Sequence, residues 1–130
     1  MKKSLLAFVV LFSLFSCTQK QEATLQSTAL PQRDPARAYT LVQEGALLLD
    51  VRTAEEYQER HLDGSHLLPV QELPNRFAEV EKLLGGDKAK PIVVYCRSGK
   101  RAAQAQELLL QNGFSNVTNL GGIDDWPQSK

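Results

Sequence analysis

The sequence predicts an α/β fold, a three-layer sandwich in which helices flank a mostly parallel central sheet. Two mainly apolar runs, 46–51 and 91–95, are typical of strands that are covered on both faces. A helical pattern follows each run, and the alternation of strands with helices favours parallel pairing. We therefore expect the carboxyl ends of the strands to meet at one edge of the sheet.

The first predicted helix lies at the start of the domain. Asp34 is suited to the N-cap position and Pro35 to the first helical position, where its fixed backbone angle is favourable. Gly45 ends this helix. The run 46–51, with Asp50 close to its end, is the first strand.

A capping box predicts the second helix. In this motif the hydroxyl of Thr53 and the carboxylate of Glu56 each satisfy a free backbone N–H of the other residue. The helix is expected to continue to about Arg60. We assign Glu55, Glu56 and Glu59 to its acidic first turn and its solvent-exposed face.

The rest of the domain is predicted to alternate strands and helices in the same way. A short strand is expected over 66–70, and then a helix over 73–84, whose apolar residues share one face. The buried strand 91–95 precedes a helix that begins at residue 98 or 99 and ends at 112. A last strand over 116–120 completes the sheet.

The amino-terminal segment has the pattern of a secretory signal. Lys2 and Lys3 precede an apolar run over 5–15 that is too short to span a bilayer comfortably. The run leads into Leu-Phe-Ser-Cys at 14–17, which resembles the bacterial lipobox. This resemblance implies cleavage before Cys17 and lipidation of that cysteine.

These patterns divide the chain into three parts. Residues 1–16 are predicted to be a lipoprotein signal peptide, and residues 17–33, rich in Gln, Thr and Ser, a flexible tether that begins at the lipidated Cys17. Residues 34–130 form one domain, which is large enough to bury a core without disulfides. We therefore expect a lipid-anchored protein of the bacterial cell envelope that faces the periplasm.

Composition argues against several classes of partner. The 15 Lys and Arg residues balance 15 Asp and Glu residues, and no basic block gathers positive charge locally, so nucleic acid is not an expected partner. The two cysteines, Cys17 and Cys96, lack the nearby Cys or His companions of a zinc site. We therefore expect neither a metal nor another cofactor.

Cys96 stands where the chemistry of such a fold is expected. It directly follows the strand 91–95 and precedes a glycine-containing segment that opens a helix. Ligands of open α/β sheets collect at the carboxyl ends of the strands. A turn into a helix also aims backbone N–H groups and the positive end of the helix dipole at one point. We infer that this point is the sulfur of Cys96, the candidate nucleophile.

The segment after Cys96 predicts what the thiol could do. Its backbone N–H groups and its three cationic side chains would stabilise a thiolate and could also hold the oxygens of a small anion. The candidate substrate-binding residues are Arg97, Ser98, Gly99, Lys100 and Arg101. The alternative is a buried, unreactive cysteine beside a solvated cationic loop.

Four sequence blocks together resemble a single-domain rhodanese-like domain. In family order they are Leu-Leu-Asp-Val-Arg at 48–52 with Glu-Glu-Tyr at 55–57, His-Leu-Asp-Gly-Ser at 61–65, Val-Tyr-Cys-Arg-Ser-Gly-Lys-Arg at 94–101, and Leu-Gly-Gly-Ile at 120–123 with Trp126. The resemblance covers 46–126. Each block alone is weakly specific, whereas the four in order are highly specific.

The resemblance implies a sulfurtransferase that works by double displacement. Cys96 would take the outer sulfur of a donor such as thiosulfate, release sulfite, and carry a persulfide until a thiol, cyanide or protein acceptor removes it. Residues 97–101 would cradle the persulfide. Asp50 and Arg52 resemble supporting residues that brace this loop.

Two other functions stay open. A rhodanese-like domain with an inert Cys96 would act as a binding module. A thiol-dependent phosphatase or arsenate reductase is the third reading, but related phosphatases place five residues between the cysteine and the arginine of their loop. Cys96 and Arg101 enclose four, and this shorter ring favours sulfur over phosphate.

Overall fold

The computed structural model describes residues 33–128. The predicted signal peptide, Cys17 and all of the tether except Arg33 lie outside the described residues. No helix within the described part of the chain is long and apolar enough to cross a membrane.

Four helices and four strands alternate as the sequence predicts. In chain order they are α1 (Pro35–Gln43), β1 (Leu47–Asp50), α2 (Ala54–Glu59), β2 (His66–Leu67), α3 (Phe77–Leu83), β3 (Ile92–Cys96), α4 (Lys100–Gln111) and β4 (Val117–Gly122). Single 3₁₀ turns lie at Leu73–Asn75 and Ile123–Asp125.

The strands form one parallel sheet in the order β2-β1-β3-β4, which confirms the predicted fold class. The helices cover both faces. On one face, Ala38 of α1 packs with Leu48 and Tyr95; on the other, Ala105 and Leu109 of α4 belong to the cluster that contains Cys96. Because both faces are buried, the central strands are apolar except for Asp50 at the end of β1, which is why their sequences read as nearly continuous runs.

The two predicted helix caps are present. The Asp34 carboxylate accepts a hydrogen bond from the N–H of Arg37, 3.0 Å away. The Thr53 hydroxyl accepts from the N–H of Glu56, whose carboxylate in turn accepts from the N–H of Thr53 at 3.0 Å. These caps fix where α1 and α2 begin.

Three predicted boundaries were wrong by more than one residue. The second strand ends at Leu67 rather than at residue 70. The helix predicted over 73–84 begins at Phe77, because Arg76 has a non-helical backbone (φ −127°, ψ 18°) that separates a proline-containing 3₁₀ turn from α3. The last strand continues past Leu120 to Gly122.

The extension of β4 matters for the site. Opposite Val94 and Tyr95 the register shifts by one residue, so that Leu120 is left over as a bulge. The bulge lets Gly121 pair with Tyr95 and Gly122 pair with Cys96. The carboxyl end of β4 therefore lies directly beside the candidate nucleophile.

Candidate active site

Cys96 is the last residue of β3 and lies between the sheet and α4. Its side chain is fully buried. The backbone N–H of Gly99 donates a hydrogen bond to Sγ at 2.9 Å, and α4 begins at the next residue, Lys100. The sulfur thus meets one amide donor, of the several that the sequence predicts, where the strand passes into the helix.

Gly99 adopts a backbone conformation that suits glycine. Its φ of +95° lies in the left-handed region, where a side chain is strained. A Cβ built at this position would also lie 2.7 Å from Nε of Arg33. The turn that brings this N–H to the sulfur therefore depends on the absence of a side chain.

The cations after Cys96 do not share one environment. Arg97 and Lys100 are exposed to solvent, as is Ser98. Arg101 instead turns to Glu56 of α2, and the two form a bidentate ion pair with N–O distances of 2.7 and 2.8 Å. Thus two of the predicted substrate-binding cations are free to face solvent, and the third ties α4 to α2.

Glu56 has a tertiary role that the sequence interpretation missed. The hydrogen bonds from Arg101, helped by the N–H of Thr53, lower the pKa of Glu56 from 4.5 to about 2. The same pairing raises the pKa of Arg101. Glu56 lies in the acidic first turn of α2 as predicted, but it is half-buried and paired rather than on the solvent-exposed face; Glu55 and Glu59 are exposed as expected. Helical periodicity does not reveal a partner 45 residues away.

We expect Glu56→Gln to destabilise the domain by about 2 kcal/mol at pH 7, because Arg101 loses its charged partner. A carboxyl with a lowered pKa contributes its stability above its unfolded pKa of 4.5 and loses it as the pH falls towards 2. The difference in the free energy of unfolding between the variant and the parent should therefore shrink as the pH falls from about 4.5 to 2. Urea unfolding at several pH values measures it, with the exposed Glu55→Gln as control. An unchanged difference at pH 2 would contradict the assignment.

Asp50 and Arg52 form a buried pair next to the site. Nε of Arg52 lies 2.9 Å from one Asp50 oxygen, and Nη2 lies 2.6 Å from the other. Burial alone would lower the pKa of Arg52, but the bonds and charge of Asp50 outweigh it and raise the pKa. Arg52 also donates to the carbonyl of Arg60 at 2.5 Å, which anchors the segment after α2. The pair thus braces α2 and its exit.

Tyr95 continues this support on the same face of the sheet, since it pairs with Asp50 across the β1–β3 ladder. Its hydroxyl donates to Ser65 Oγ and accepts from the N–H of Leu62, both at 3.1 Å. Burial raises the pKa of Tyr95 to about 12. The Arg52 guanidinium lies 5.5 Å from the ring centre. Tyr95 therefore holds the 61–65 segment against the strand that carries Cys96.

Two residues of β4 that the sequence analysis did not select contact the Cys96 loop. The buried Asn119 donates from Nδ2 to the Gly99 carbonyl at 3.3 Å and accepts from the N–H of Gly121 at 2.8 Å. Gly122 packs so closely beneath the loop that an added Cβ would overlap the carbonyl oxygen of Arg97. An amide side chain within the last predicted strand was the available signal for Asn119.

A cleft opens beside the loop. Its volume is about 250 Å³, and its lining comprises Arg52, Glu56, Glu59, Arg60, Arg97, Ile123 and Asp124. Arg60 and Asp124 form an ion pair on its rim. The cleft therefore presents exposed cationic groups next to the strand end, together with carboxylates. Among residues 33–128, no three His, Cys, Asp or Glu side chains are grouped as metal ligands.

Sequence comparison finds thiosulfate sulfurtransferases among the relatives of this chain. The chain is 36% identical over 77 residues to the thiosulfate sulfurtransferase PspE of Escherichia coli, covering 59% of this chain and 70% of that protein. It is 33% identical over 93 residues to the thiosulfate sulfurtransferase GlpE of Pseudomonas savastanoi, covering 71% of this chain and 82% of that protein.

Solved structures show the same fold. A rhodanese with anions from E. coli matches with a TM-score of 0.56 at 33% identity, covering 65% of this chain and 98% of that one. The human single-domain sulfurtransferase TSTD1 matches with a TM-score of 0.59 at 28% identity, covering 69% and 90%. The family model for the rhodanese-like domain matches residues 34–129, nearly the whole predicted domain. This chain belongs to the rhodanese-like family.

Proposed function

We propose that this protein is a sulfurtransferase that moves sulfane sulfur from thiosulfate or a similar donor to a thiol or cyanide acceptor through a persulfide on Cys96. The observation that carries the proposal is the 2.9 Å hydrogen bond from the Gly99 N–H to Sγ at the end of β3. Relatives named thiosulfate sulfurtransferases support the same reaction class.

The reaction takes place in two displacements at sulfur. The Cys96 thiolate attacks the outer sulfur of thiosulfate, a new S–S bond forms, and the S–S bond of the donor breaks with both electrons leaving on sulfite. An acceptor thiolate or cyanide then attacks the outer sulfur of the persulfide. The product is an acceptor persulfide or thiocyanate, and the Cys96 thiolate is regenerated. No external oxidant or reductant is consumed.

The surroundings of Cys96 suit the anions of this cycle. The Gly99 N–H and the amino terminus of α4 present partial positive charge to a thiolate or to the terminal sulfur of a persulfide. Arg97 and Lys100 are exposed beside the loop and would attract a dianionic donor. Arg101 is held by Glu56, so its proposed part is to position the loop.

The proposal requires that the loop after Cys96 moves. Sγ belongs to a fully buried residue, and the donor must reach it along the axis of the new S–S bond. Arg97 and Ser98 are exposed, and Arg97 lines the adjoining cleft, so displacement of these two residues is the movement that we propose gives the donor access to the sulfur.

Mass spectrometry tests the proposal directly. After incubation with thiosulfate, the protein should gain one sulfur atom, located on the peptide that contains Cys96, and release one equivalent of sulfite. Cyanide should then remove the adduct as thiocyanate. A protein that gains no sulfur and releases no sulfite with thiosulfate or other sulfane donors would refute the activity.

The full burial of Cys96 is the one observation that favours another function, a non-catalytic binding module. In that case Cys96 fills the core, and the surface of the fold serves a partner. If the protein is a binding module, the Cys96→Ser variant should still bind the partner. Sulfur transfer should then be detected neither in the parent protein nor in the variant.

We also propose that the chain is attached to the bacterial cell envelope through a lipid on Cys17 and faces the periplasm. The support is the positively charged start, the short apolar run over 5–15 and the lipobox-like end of that run. A labelled fatty acid supplied to a bacterium that expresses the chain should appear on the protein and be lost in Cys17→Ala. Equal labelling of both proteins would contradict lipidation at this residue.

A further inference from the structure

Arg33 contacts the peptide group that donates a hydrogen bond to Cys96. One guanidinium nitrogen of Arg33, Nη2, donates to the carbonyl oxygen of Ser98. The peptide unit that carries this carbonyl also carries the N–H of Gly99, which donates to Sγ of Cys96 at 2.9 Å. Because a peptide unit is planar, the two hydrogen bonds point in opposite directions from one rigid group.

Neighbouring residues hold Arg33 in this place. Its second terminal nitrogen lies 3.6 Å from a carboxylate oxygen of Asp125, just after β4. The backbone N–H of the next residue, Asp34, donates to the carbonyl of Asn119 at 2.9 Å. Gly99 and Gly121 leave the space that the Arg33 side chain occupies, since a Cβ at either would press against it.

We propose that Arg33 is a positioning residue for the Cys96 thiolate. It orients the Ser98–Gly99 peptide and polarises it, so that the Gly99 N–H becomes a stronger donor to sulfur. This inference rests on the proposed sulfurtransferase function and assigns a part in it to a residue that the sequence analysis placed in the tether. The same bond would serve the terminal sulfur of the persulfide.

The chemistry of arginine suits this role. The guanidinium is planar, permanently charged and carries several N–H donors, so one side chain can bind the Ser98 carbonyl and the Asp125 carboxylate together. A lysine ammonium is a point charge, so it could bind one of these two acceptors but not both together. Arg33→Lys should therefore retain only part of the effect, and Arg33→Gln should retain none of the charge.

Other charges around Cys96 remain unchanged in these variants. They comprise Arg97 in the loop, Lys100 and Arg101 on α4, Glu56 on α2, Asp50 and Arg52 at and just after the end of β1, and Asp125 after β4. A difference between the variants and the parent therefore isolates Arg33. Arg37, exposed on α1, is the matched control, since Arg37→Gln removes an arginine four positions away from Arg33.

Alkylation of Cys96 by iodoacetamide provides the test. The full chain and its variants are treated at a series of pH values, and modification of the Cys96 peptide is followed by mass spectrometry, which separates it from Cys17. The plateau rate at high pH reports access to the buried sulfur, whereas the pH midpoint reports how strongly the thiolate is stabilised. The experiment therefore separates an effect of Arg33 on access to the sulfur from an effect on the stability of the thiolate.

We expect the midpoint to rise in Arg33→Gln by about half to one pH unit, a three- to tenfold weaker stabilisation of the thiolate. Arg33→Lys should be intermediate, and Arg37→Gln should match the parent. A midpoint in Arg33→Gln equal to that of the parent would overturn the inference, whatever happens to the plateau or to thermal stability. Alkylation does not depend on thiosulfate, so this result is distinguishable from failure of the chain to form a persulfide.

Discussion

Replacing Cys96 by serine is expected to abolish sulfur transfer from thiosulfate, lowering kcat/KM by at least about three orders of magnitude. A serine hydroxyl can accept the hydrogen bond from Gly99, but it is not ionised at neutral pH and cannot form a persulfide. The measurement is the rate of sulfite release together with the mass of the protein after exposure to donor. No sulfur should be added to the variant.

The fold should survive this change. Cys96 is buried, and its replacement by serine puts a hydroxyl in an apolar cluster while keeping a partner for the Gly99 N–H, a cost of about 1 kcal/mol. Cys96→Ala provides a second variant without the new hydroxyl. If both variants fold and either still turns over thiosulfate, the thiol of Cys96 is not the sulfur carrier.

Replacing Gly122 by alanine should distort the site through contacts with backbone atoms alone. The backbone of Gly122 (φ −88°, ψ 160°) is one that alanine adopts easily, so the cost is steric. The new Cβ would overlap the carbonyl oxygen of Arg97 and lie 3.1 Å from its carbonyl carbon and 3.4 Å from Cα of Ser98. These are backbone atoms, so the loop or the end of β4 must shift.

We expect this shift to destabilise Gly122→Ala by about 2 kcal/mol and to lower kcat/KM by about 100-fold, because the loop that presents the Gly99 N–H is displaced. Thermal unfolding and sulfite release measure the two effects. Gly86→Ala is the matched control: its added methyl group meets no atom within 4 Å, but its φ of +86° strains an alanine. The control should lose about 1 kcal/mol and keep full activity. Parental activity in Gly122→Ala would contradict this account of the loop.

The parts of the fold that depend on neighbouring residues were predictable. The capping box of Thr53 and Glu56 joins residues three positions apart and was confirmed in detail. The two central strands were recognisable because strands that are buried on both faces consist mainly of consecutive apolar residues. The start of α3 was wrong because the apolar period continues across Arg76, although the backbone there departs from the helix.

The candidate site likewise combines features that are local in sequence, which were predictable, with contacts between distant residues, which were not. Cys96 and the turn after it are contiguous in sequence, so the strand end, the glycine and the helix start could be read together. The contacts that hold this turn join distant residues: Asn119 reaches Gly99 from 20 positions away, and Arg33 reaches Ser98 from 65. Their partners could not be read from a local pattern.

By itself, the sequence determined the α/β architecture, the place of Cys96 at a strand end and the amide-bearing turn that follows it, because each leaves a recognisable pattern among residues that are close along the chain. Only the tertiary structure decided that Arg101 pairs with Glu56, that the bulge in β4 brings Gly122 beneath the loop, and that Arg33 binds the peptide facing the sulfur. These arrangements depend on how the parallel strands register and how the helices pack over them, which set the distances between remote side chains.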